Sequence, residues 1–325
     1  MRVVSLGSGS SGNALLVEAG PQGRTKILID AGLSTLLITD RLRSVGVHPS
    51  QLQAVLVTHE HSDHVIGLPT LMKRHAVPVV ADPRTYQVLM ESFASGMWRT
   101  DSGALIPSRT IVDGDPLVEP NNADCVDDIL DHTNVPLERI QQNGHSKPTI
   151  ALSVGSHCTI GDIEVISFPI SHDAVAPCGY LLSAGGCRVC IVTDSGEVTT
   201  AMLEMMQQAD LLILEANHDR ERLLRGPYPE RLKQRILSAT GHLSNNQAAE
   251  AILRTWRTDS VRWLWLSHLS RTNNTPSLAL KSVRAQLQTA GANLAQVHIS
   301  VSPPGMGNVW DSTQLWHSPS LWAME

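Results

Sequence analysis

The stretch His59-Glu60-His61-Ser62-Asp63-His64 places four metal-ligand candidates, His59, His61, Asp63 and His64, within six residues. It follows the apolar run Ala54–Val57 and precedes a helical pattern that starts at Val65, so it lies at a strand end. On an extended segment side chains at i and i+2 point the same way. His59 and His61 can therefore hold one metal ion while the turn carries Asp63 and His64 toward a second. Packing alone does not account for such a cluster.

Further donors close other strand-like runs. His172 follows Ile163–Phe168, Asp194 follows Val189–Val192, His268 follows Trp263–Trp265, and Asp30 ends Ile27-Leu28-Ile29 as an acceptor that orients a ligating histidine. Loops at the ends of buried strands are where a rigid scaffold presents functional groups. Mixed imidazole and carboxylate donors suit Zn²⁺, with Mn²⁺ where more oxygen ligands and open positions are wanted. Two such ions about 3.5 to 4 Å apart share a hydroxide at neutral pH and neutralise charge on a phosphoryl group under in-line attack. His242, with Glu215 at the end of Leu211–Leu214, is the candidate for protonating the leaving oxygen, because a bonded carboxylate raises the imidazole pKa and fixes its tautomer. The alternative for His242 is a capping or packing role at a helix start.

The elements that position these residues are legible as runs. Strand-length apolar runs recur at Val3–Leu6, Ala14–Val17, Ile27–Ile29, Ala54–Val57, Val77–Val80, Ile163–Phe168, Tyr180–Leu182, Val189–Thr193, Leu211–Leu214, Trp263–Leu266 and Val297–Val301. Helical patterns cover Thr35–Val45, Val65–His75, Pro83–Ser95, Thr200–Ala209, Pro229–Ser238, Asn245–Thr255 and Ser277–Thr289, and Ser244 with Gln247 reads as a capping box. Strands come in groups before helices in both halves. The fold class is α/β, a four-layer αββα sandwich.

At 325 residues and 42% hydrophobic the chain can bury a full core, and no apolar run reaches the roughly 18 residues of a membrane span. A cytoplasmic protein with no membrane partner is expected; the sequence assigns no oligomeric state. Cys187 and Cys190 form a CxxC within a strand-like run, without a second pair, and read as buried small hydrophobes. The net charge of −6 is unevenly spread. Residues 116–157 hold six acids against two bases, whereas residues 220–262 hold nine bases against four acids, a phosphate-binding rim or simply solvated helix faces. The expected organisation is one hydrolase domain over 1–302, an acidic insertion at about 116–157, and a C-terminal extension over 303–325 that packs on the surface.

Taken together, Asp30, His59/His61/Asp63/His64, His172, Asp194 and His268 resemble the five motifs of the metallo-β-lactamase superfamily. Gly7-Ser8-Gly9-Ser10-Ser11-Gly12-Asn13, Ser171-His172-Asp173-Ala174, Glu215-Ala216-Asn217-His218-Asp219, Gly226-Pro227-Tyr228-Pro229, Gly241-His242-Leu243-Ser244-Asn245 and His268-Leu269-Ser270 with Asn273-Asn274 are similar to its WalJ (YycJ) branch, related to tRNase Z. The resemblance implies a two-metal site with His59, His61 and His172 on one ion, Asp63, His64 and His268 on the other, and Asp194 bridging. It also implies a 5′ to 3′ exonuclease on DNA, with Asp63, Glu215 and His242 as the catalytic candidates. Asn13, Asn273 and Asn274 are candidate substrate contacts, with loop shaping as the alternative for the last two. The Gly7–Asn13 loop lacks a P-loop ending and reads as a tight turn beside the site. His218 and Asp219 match the pattern without a role. A small-molecule phosphodiesterase, thioesterase or lactonase of the same fold is the alternative function, favoured by the negative charge and by the lack of an appended nucleic-acid-binding domain; a metal-stabilised binding protein is a third.

Overall fold

A strand that is apolar at every position needs cover on both faces. The computed structural model, which describes residues 1–100, 104–107, 149–258 and 260–315, shows how that cover is supplied. In chain order the first half gives β1 (Arg2–Gly7), β2 (Ala14–Ala19), β3 (Thr25–Ile29), α1 (Thr35–Ser44), β4 (Ala54–Leu56), α2 (Ser62–Val65), α3 (Leu68–His75), β5 (Val79–Ala81), α4 (Pro83–Ser95) and the hairpin strands β6 (Met97–Arg99) and β7 (Leu105–Pro107). The second half gives β8 (Ile150–Ala151), β9 (His157–Ile160), β10 (Ile163–Pro169), β11 (Cys178–Ala184), β12 (Cys187–Val192), α5 (Thr200–Met206), β13 (Leu211–Glu215), α6 (Arg220–Arg225), α7 (Glu230–Ile236), α8 (Asn245–Arg254), β14 (Arg262–Ser267), α9 (Pro276–Thr289), β15 (Val297–Val301) and β16 (Val309–Asp311).

The strands form two sheets, ordered β16-β1-β2-β3-β4-β5-β8 and β15-β14-β13-β12-β11-β10-β9. Alternation along each strand splits its side chains between two cores. On β3 and β13, Ile27, Ile29, Leu211 and Ile213 meet between the sheets. The intervening Leu28 packs against Ile38 and Leu42 of α1, while Leu212 and Leu214 join Met202, Ile252 and Val283 from α5, α8 and α9. Three cores thus separate four layers, the expected αββα sandwich. The same alternation resolves the CxxC: Cys187 points into the inter-sheet core and Cys190 into the outer one, so the two thiols cannot share a metal or a bridge. Among the described residues no helix is long and apolar enough to cross a membrane. Ser244 caps α8 with the expected capping box.

Four local expectations change. The helix expected over Val65–His75 is split into α2 and α3, and Gly67 between them packs so closely that a Cβ there would lie 2.3 Å from the Leu33 carbonyl oxygen. Residues 149–157, expected within the acidic insertion, belong to the fold: β8 pairs with β5, Leu152 is buried in the inter-sheet core, and the Val154 N–H donates to Asp82. The rest of that insertion lies outside the described residues. The C-terminal extension is not confined to the surface either. β16 adds to the first sheet beside β1, and Trp310 is fully buried between the sheets. A three-residue strand between Gly/Pro-rich turns has no readable period, which is why its burial was not legible. Finally, α6 occupies a stretch to which no helix was assigned. Trp316 and Trp322 lie outside the described residues.

At one end of the sandwich Asp162, in the turn before β10, accepts from Arg24 Nε at 2.8 Å, Arg24 Nη2 at 2.6 Å and Thr25 Oγ1 at 2.7 Å, pinning one sheet to the other. The Arg24 hydrogen bonds, then that of Thr25, hold the carboxyl at about 2. A depressed folded pKa adds stability above the unfolded value and loses it as pH falls through the folded one. The stability difference between the unaltered protein and Asp162→Asn should therefore be constant above about pH 5 and shrink between about pH 4 and pH 2; chemical denaturation across that range checks it, and a gap that persists at the acid end contradicts the pin. Trp310→Ala should cost about 3–5 kcal/mol in the same assay, because it empties a site in the central core. A loss below about 1 kcal/mol would show β16 to be peripheral.

Candidate active site

Strand ends of both sheets deliver the site. Asp30 follows β3, Thr58 to His61 follow β4, His172 follows β10, Asp194 follows β12, Glu215 ends β13 and His268 follows β14. β3 and β4 are parallel, as are β12, β13 and β14, so these ends gather at one edge of the sandwich. All of these side chains are buried. Asp30 and His268 take left-handed backbone conformations, with φ of 59° and 53°. Non-glycine residues there carry strain, which is held at functional sites when the surroundings over-determine it. Gly32 serves the same turn: a Cβ would lie 1.6 Å from the Asp63 carbonyl oxygen, so only glycine lets the β3 turn press against the ligand loop.

The side chains fall into two groups joined by one carboxylate. Donor atoms of His59, His61 and His172 lie within 4.8 Å of one another, as do those of Asp63, His64 and His268. Asp194 sits between, with Oδ2 3.0 Å from His64 Nε2 and Oδ1 2.9 Å from His268 Nδ1. His172 Nε2 faces His61 Nδ1 at 3.3 Å. Both oxygens of Asp63 and of Asp194, and Nε2 of His59 and of His268, are buried with no partner beyond the imidazoles and carboxylates of the cluster itself. An unmet buried polar group costs about 1–3 kcal/mol, so a set of them converging on one space is a donor set that fits divalent cations.

The groups behind these atoms fix their direction. Asp30 accepts from the Thr58 N–H at 2.8 Å and from Thr58 Oγ1 at 2.9 Å, and takes His64 Nδ1 at 2.7 Å, leaving His64 Nε2 toward Asp63 and Asp194. Glu215 is fully engaged. Its Oε1 receives His242 Nδ1 at 2.7 Å and His268 Nδ1 at 2.9 Å, while Oε2 accepts the N–H groups of Ser195 and Leu243. Although Glu215 lies close enough to Asp194, His242 and His268 to be counted with a metal cluster, its acceptor capacity is spent on orienting two rings. The Gly7–Asn13 turn braces the second group: Ser8 Oγ accepts from the His268 N–H, and Asn13 bridges the Gly9 N–H and His64 Nε2.

Charge in the pocket is matched to this arrangement. Burial disfavours charged His64, but Asp194, Asp30 and Asp63 overcome it and hold the ring well above the ordinary imidazole range. His268 is likewise raised against burial, chiefly by Asp194. Burial would raise Asp194, yet His268 and His64 hold it well below the usual carboxylate range. Glu215 is lowered too, with burial opposed by His242 and by its hydrogen bonds. His59, among other imidazoles, is pushed well down by burial, then by His64 and His61. Carboxylates in such number seek positive charge, which a bound cation provides.

The structure brings together Asp30, His59, His61, Asp63, His64, His172, Asp194, Glu215, His242 and His268. It treats the three asparagines differently. Asn274 is engaged within the fold: its amide donates to the Ala216 and Asn217 carbonyls and exchanges hydrogen bonds with Asn245, and its oxygen also accepts from the Thr275 N–H. Asn273 is buried against Gly226, where a Cβ would lie 2.9 Å from its Oδ1. Asn13 lies at the site, with Nδ2 3.0 Å from His64 Nε2. His218 is fully buried, and desolvation, first among several influences, drives its ring to about 4. Sequence reasoning gave no role to Thr58, beside His59, to Ser8, inside the Gly7–Asn13 turn, or to Glu60, whose buried carboxylate accepts the Val175 N–H at 2.9 Å and steadies the His172 loop.

Two facing sheets with helices outside, and a histidine–carboxylate cluster at their strand ends, define a metal-dependent hydrolase sandwich. The Metallo-beta-lactamase superfamily model matches residues 7–146, and the Beta-lactamase superfamily domain model matches residues 116–261. The chain is 35% identical over 285 residues to Exodeoxyribonuclease WalJ of Streptococcus pneumoniae serotype 2 (strain D39 / NCTC 7466), covering 88% of this chain and 87% of that protein. It is 31% identical over 291 residues to Exodeoxyribonuclease YycJ of Bacillus anthracis, covering 90% of each. In fold it is similar to the metallo-beta-lactamase fold protein YhfI from Bacillus subtilis, with a TM-score of 0.60 at 14% identity over 95% of this chain and 98% of that one. The chain belongs to the metallo-beta-lactamase superfamily, in the group that holds WalJ and YycJ.

Asp30→Asn keeps the size of the side chain but turns one acceptor into a donor facing His64 Nδ1. Metal affinity should fall about 10- to 100-fold with the fold intact. Competition against a chelator, with circular dichroism as control, measures it; unchanged affinity would remove Asp30 from the site's design.

Proposed function

We propose that this protein is a metal-dependent exonuclease that degrades DNA from the 5′ end. The observation that carries the reading is the converging set of unmatched buried donors with the Glu215–His242 pair beside it, in a chain similar over most of its length to proteins named exodeoxyribonucleases. His59, His61 and His172 would hold one ion, Asp63, His64 and His268 a second, with Asp194 shared between them. The mixed nitrogen and oxygen donors suit Zn²⁺ or Mn²⁺. Bound there, two divalent ions supply a water-derived nucleophile at neutral pH and neutralise charge on the phosphoryl group.

The remaining work falls to the chain. Glu215 holds His242 by Nδ1, so a proton for the leaving oxygen is carried on Nε2. The same carboxylate receives His268 Nδ1, which ties the acid and a metal-binding ring to one anchor. Asp63, besides its place among the ligands, would orient an attacking water.

Linear duplex labelled at either end, incubated after chelation and after adding back Zn²⁺ or Mn²⁺, tests the activity. Loss in chelator, recovery with metal and nucleotide release from the 5′ end are expected. Turnover of a cyclic nucleotide, thioester or lactone panel with intact DNA would replace the reading by a small-molecule hydrolase of the same fold. His242→Ala should keep its metal content and lose about 10²- to 10⁴-fold in kcat on DNA. The defect should be smaller on a nitrophenyl phosphodiester, whose leaving group needs no proton; an equal loss on both substrates sinks the acid assignment.

A further inference from the structure

The chain between Glu215 and His242 is a basic strap in a protein of net charge −6. From Asp219 to Gly241 it carries Arg220, Arg222, Arg225, Arg231, Lys233 and Arg235 against Asp219, Glu221 and Glu230. It leaves β13 at one member of the proton-delivery pair, runs through α6 and α7, and returns at the other. Both ends are tied to the site. Near the first, the Asp219 N–H donates to the Asn273 carbonyl at 2.9 Å. Near the second, Ser171 Oγ donates to the Ala239 carbonyl at 2.8 Å, the Asp173 N–H to Thr240 at 3.1 Å, and His172 Nδ1 to the Gly241 carbonyl at 3.1 Å.

The strap's bases divide by role. Arg235 is held by Asp173, with Nε and Nη2 at 2.7 and 2.6 Å from Oδ2, and anchors the strap to the His172 loop. Arg220, Arg222, Arg225 and Arg231 are exposed. Arg225 meets Glu221 at 2.9 Å, but both side chains stand largely in solvent, where such a pair is worth little and exchanges readily for a phosphate. Arg222 reaches the Thr272 carbonyl beside exposed Arg271, which in turn donates to Ser11 Oγ at 2.9 Å, so the basic rim continues onto the Gly7–Asn13 turn. Lys233 donates to the Leu224 carbonyl at 2.8 Å within the strap, whereas Arg262 and Arg257 lie apart from it. Arg262 is buried, its pKa pushed down to about 10 by desolvation while it donates to Thr255, and Arg257 faces Asp210.

We propose that this strap is the surface on which the nucleic-acid backbone lies, with Arg220, Arg222, Arg225 and Arg231 neutralising phosphates and Arg235 fixing the strap against the metal-binding loop. The proposal rests on the nuclease reading above and deepens it. Phosphate contacts carry affinity and register, not sequence. Because the strap begins and ends on Glu215 and His242, backbone phosphates held along it set the scissile bond beside the proton donor.

Binding by the metal-replete protein is measured on a duplex of about 30 base pairs with phosphorothioate ends that block degradation, as log affinity against log salt. Arg222→Gln, Arg225→Gln and Arg231→Gln combined should make the slope shallower by about 2 to 3 and weaken binding at least about 10-fold at 0.1 M salt, since each phosphate neutralised contributes about 0.9 to the slope. The matched triple Lys variant keeps the charge and should keep the slope. Cleavage of the unmodified duplex by the Gln variant should show the loss mainly in KM. An unchanged slope in the Gln variant, while the unaltered protein cleaves DNA, overturns the strap assignment alone. A Lys variant that loses the slope as fully overturns charge neutralisation as its basis. Failure of the unaltered, metal-replete protein to cleave DNA at all overturns the nuclease reading, and the strap proposal with it.

Discussion

The structure depends on one electrostatic constraint: the carboxylates Asp30, Asp63, Asp194 and Glu215 are buried together at one edge of the sandwich. Charge of one sign in a low-dielectric interior is tolerable only when it is paired or hydrogen-bonded. Two of the four are met by the chain itself, Asp30 by Thr58 and His64, Glu215 by His242, His268 and two backbone N–H groups. Asp63 and Asp194 have only the imidazoles of His64 and His268 beside their oxygens. The division separates carboxylates that aim other residues from carboxylates that face a cation, and it yields the chemistry without reference to any relative.

Meeting that constraint explains features otherwise unconnected. Left-handed backbone at Asp30 and His268 and the glycine at position 32 are all consequences of turning a strand end sharply toward a shared centre. Ser8 accepts the His268 backbone N–H and Asn13 meets the His64 ring from a turn far away in sequence, so this group is braced from outside its own loops. The sheets supply rigidity. Their apolar faces are covered on both sides, and the Arg24–Thr25–Asp162 pin ties the two sheets to each other. A site whose ligands come from both sheets holds its geometry only if the sheets do not slide.

The site is asymmetric in its surroundings. The His172 loop is held between Glu60, through the Val175 N–H, and the strap, through Asp173, Thr240 and Gly241. Glu60 is inside the protein and the strap is at its surface. A ligand group is thereby connected to the solvent-facing, basic part of the molecule by a short chain of hydrogen bonds.

The sequence by itself determined the candidate donors and their order, because His-x-His-x-Asp-His after an apolar run states both the donor types and the strand end that carries them. It determined the layered fold as well, since strand-length apolar runs that come in groups before helical stretches in both halves point to two facing sheets with helices outside. Tertiary structure alone decided which polar residues are spent. Asn274 reads equally as a substrate contact or a loop-shaping residue until its partners in two other segments are seen, and Glu215 reads as one histidine's partner until His268 is found on the same oxygen. It also decided the edges: β8 and β16 are too short to show a period, and Trp310 looks like a tail residue until β1 pairs beside it. The reason is common to all of these. Periodicity and spacing report what a segment does to its own neighbours in sequence, whereas hydrogen-bond satisfaction and burial at an edge are settled by atoms that arrive from elsewhere in the chain.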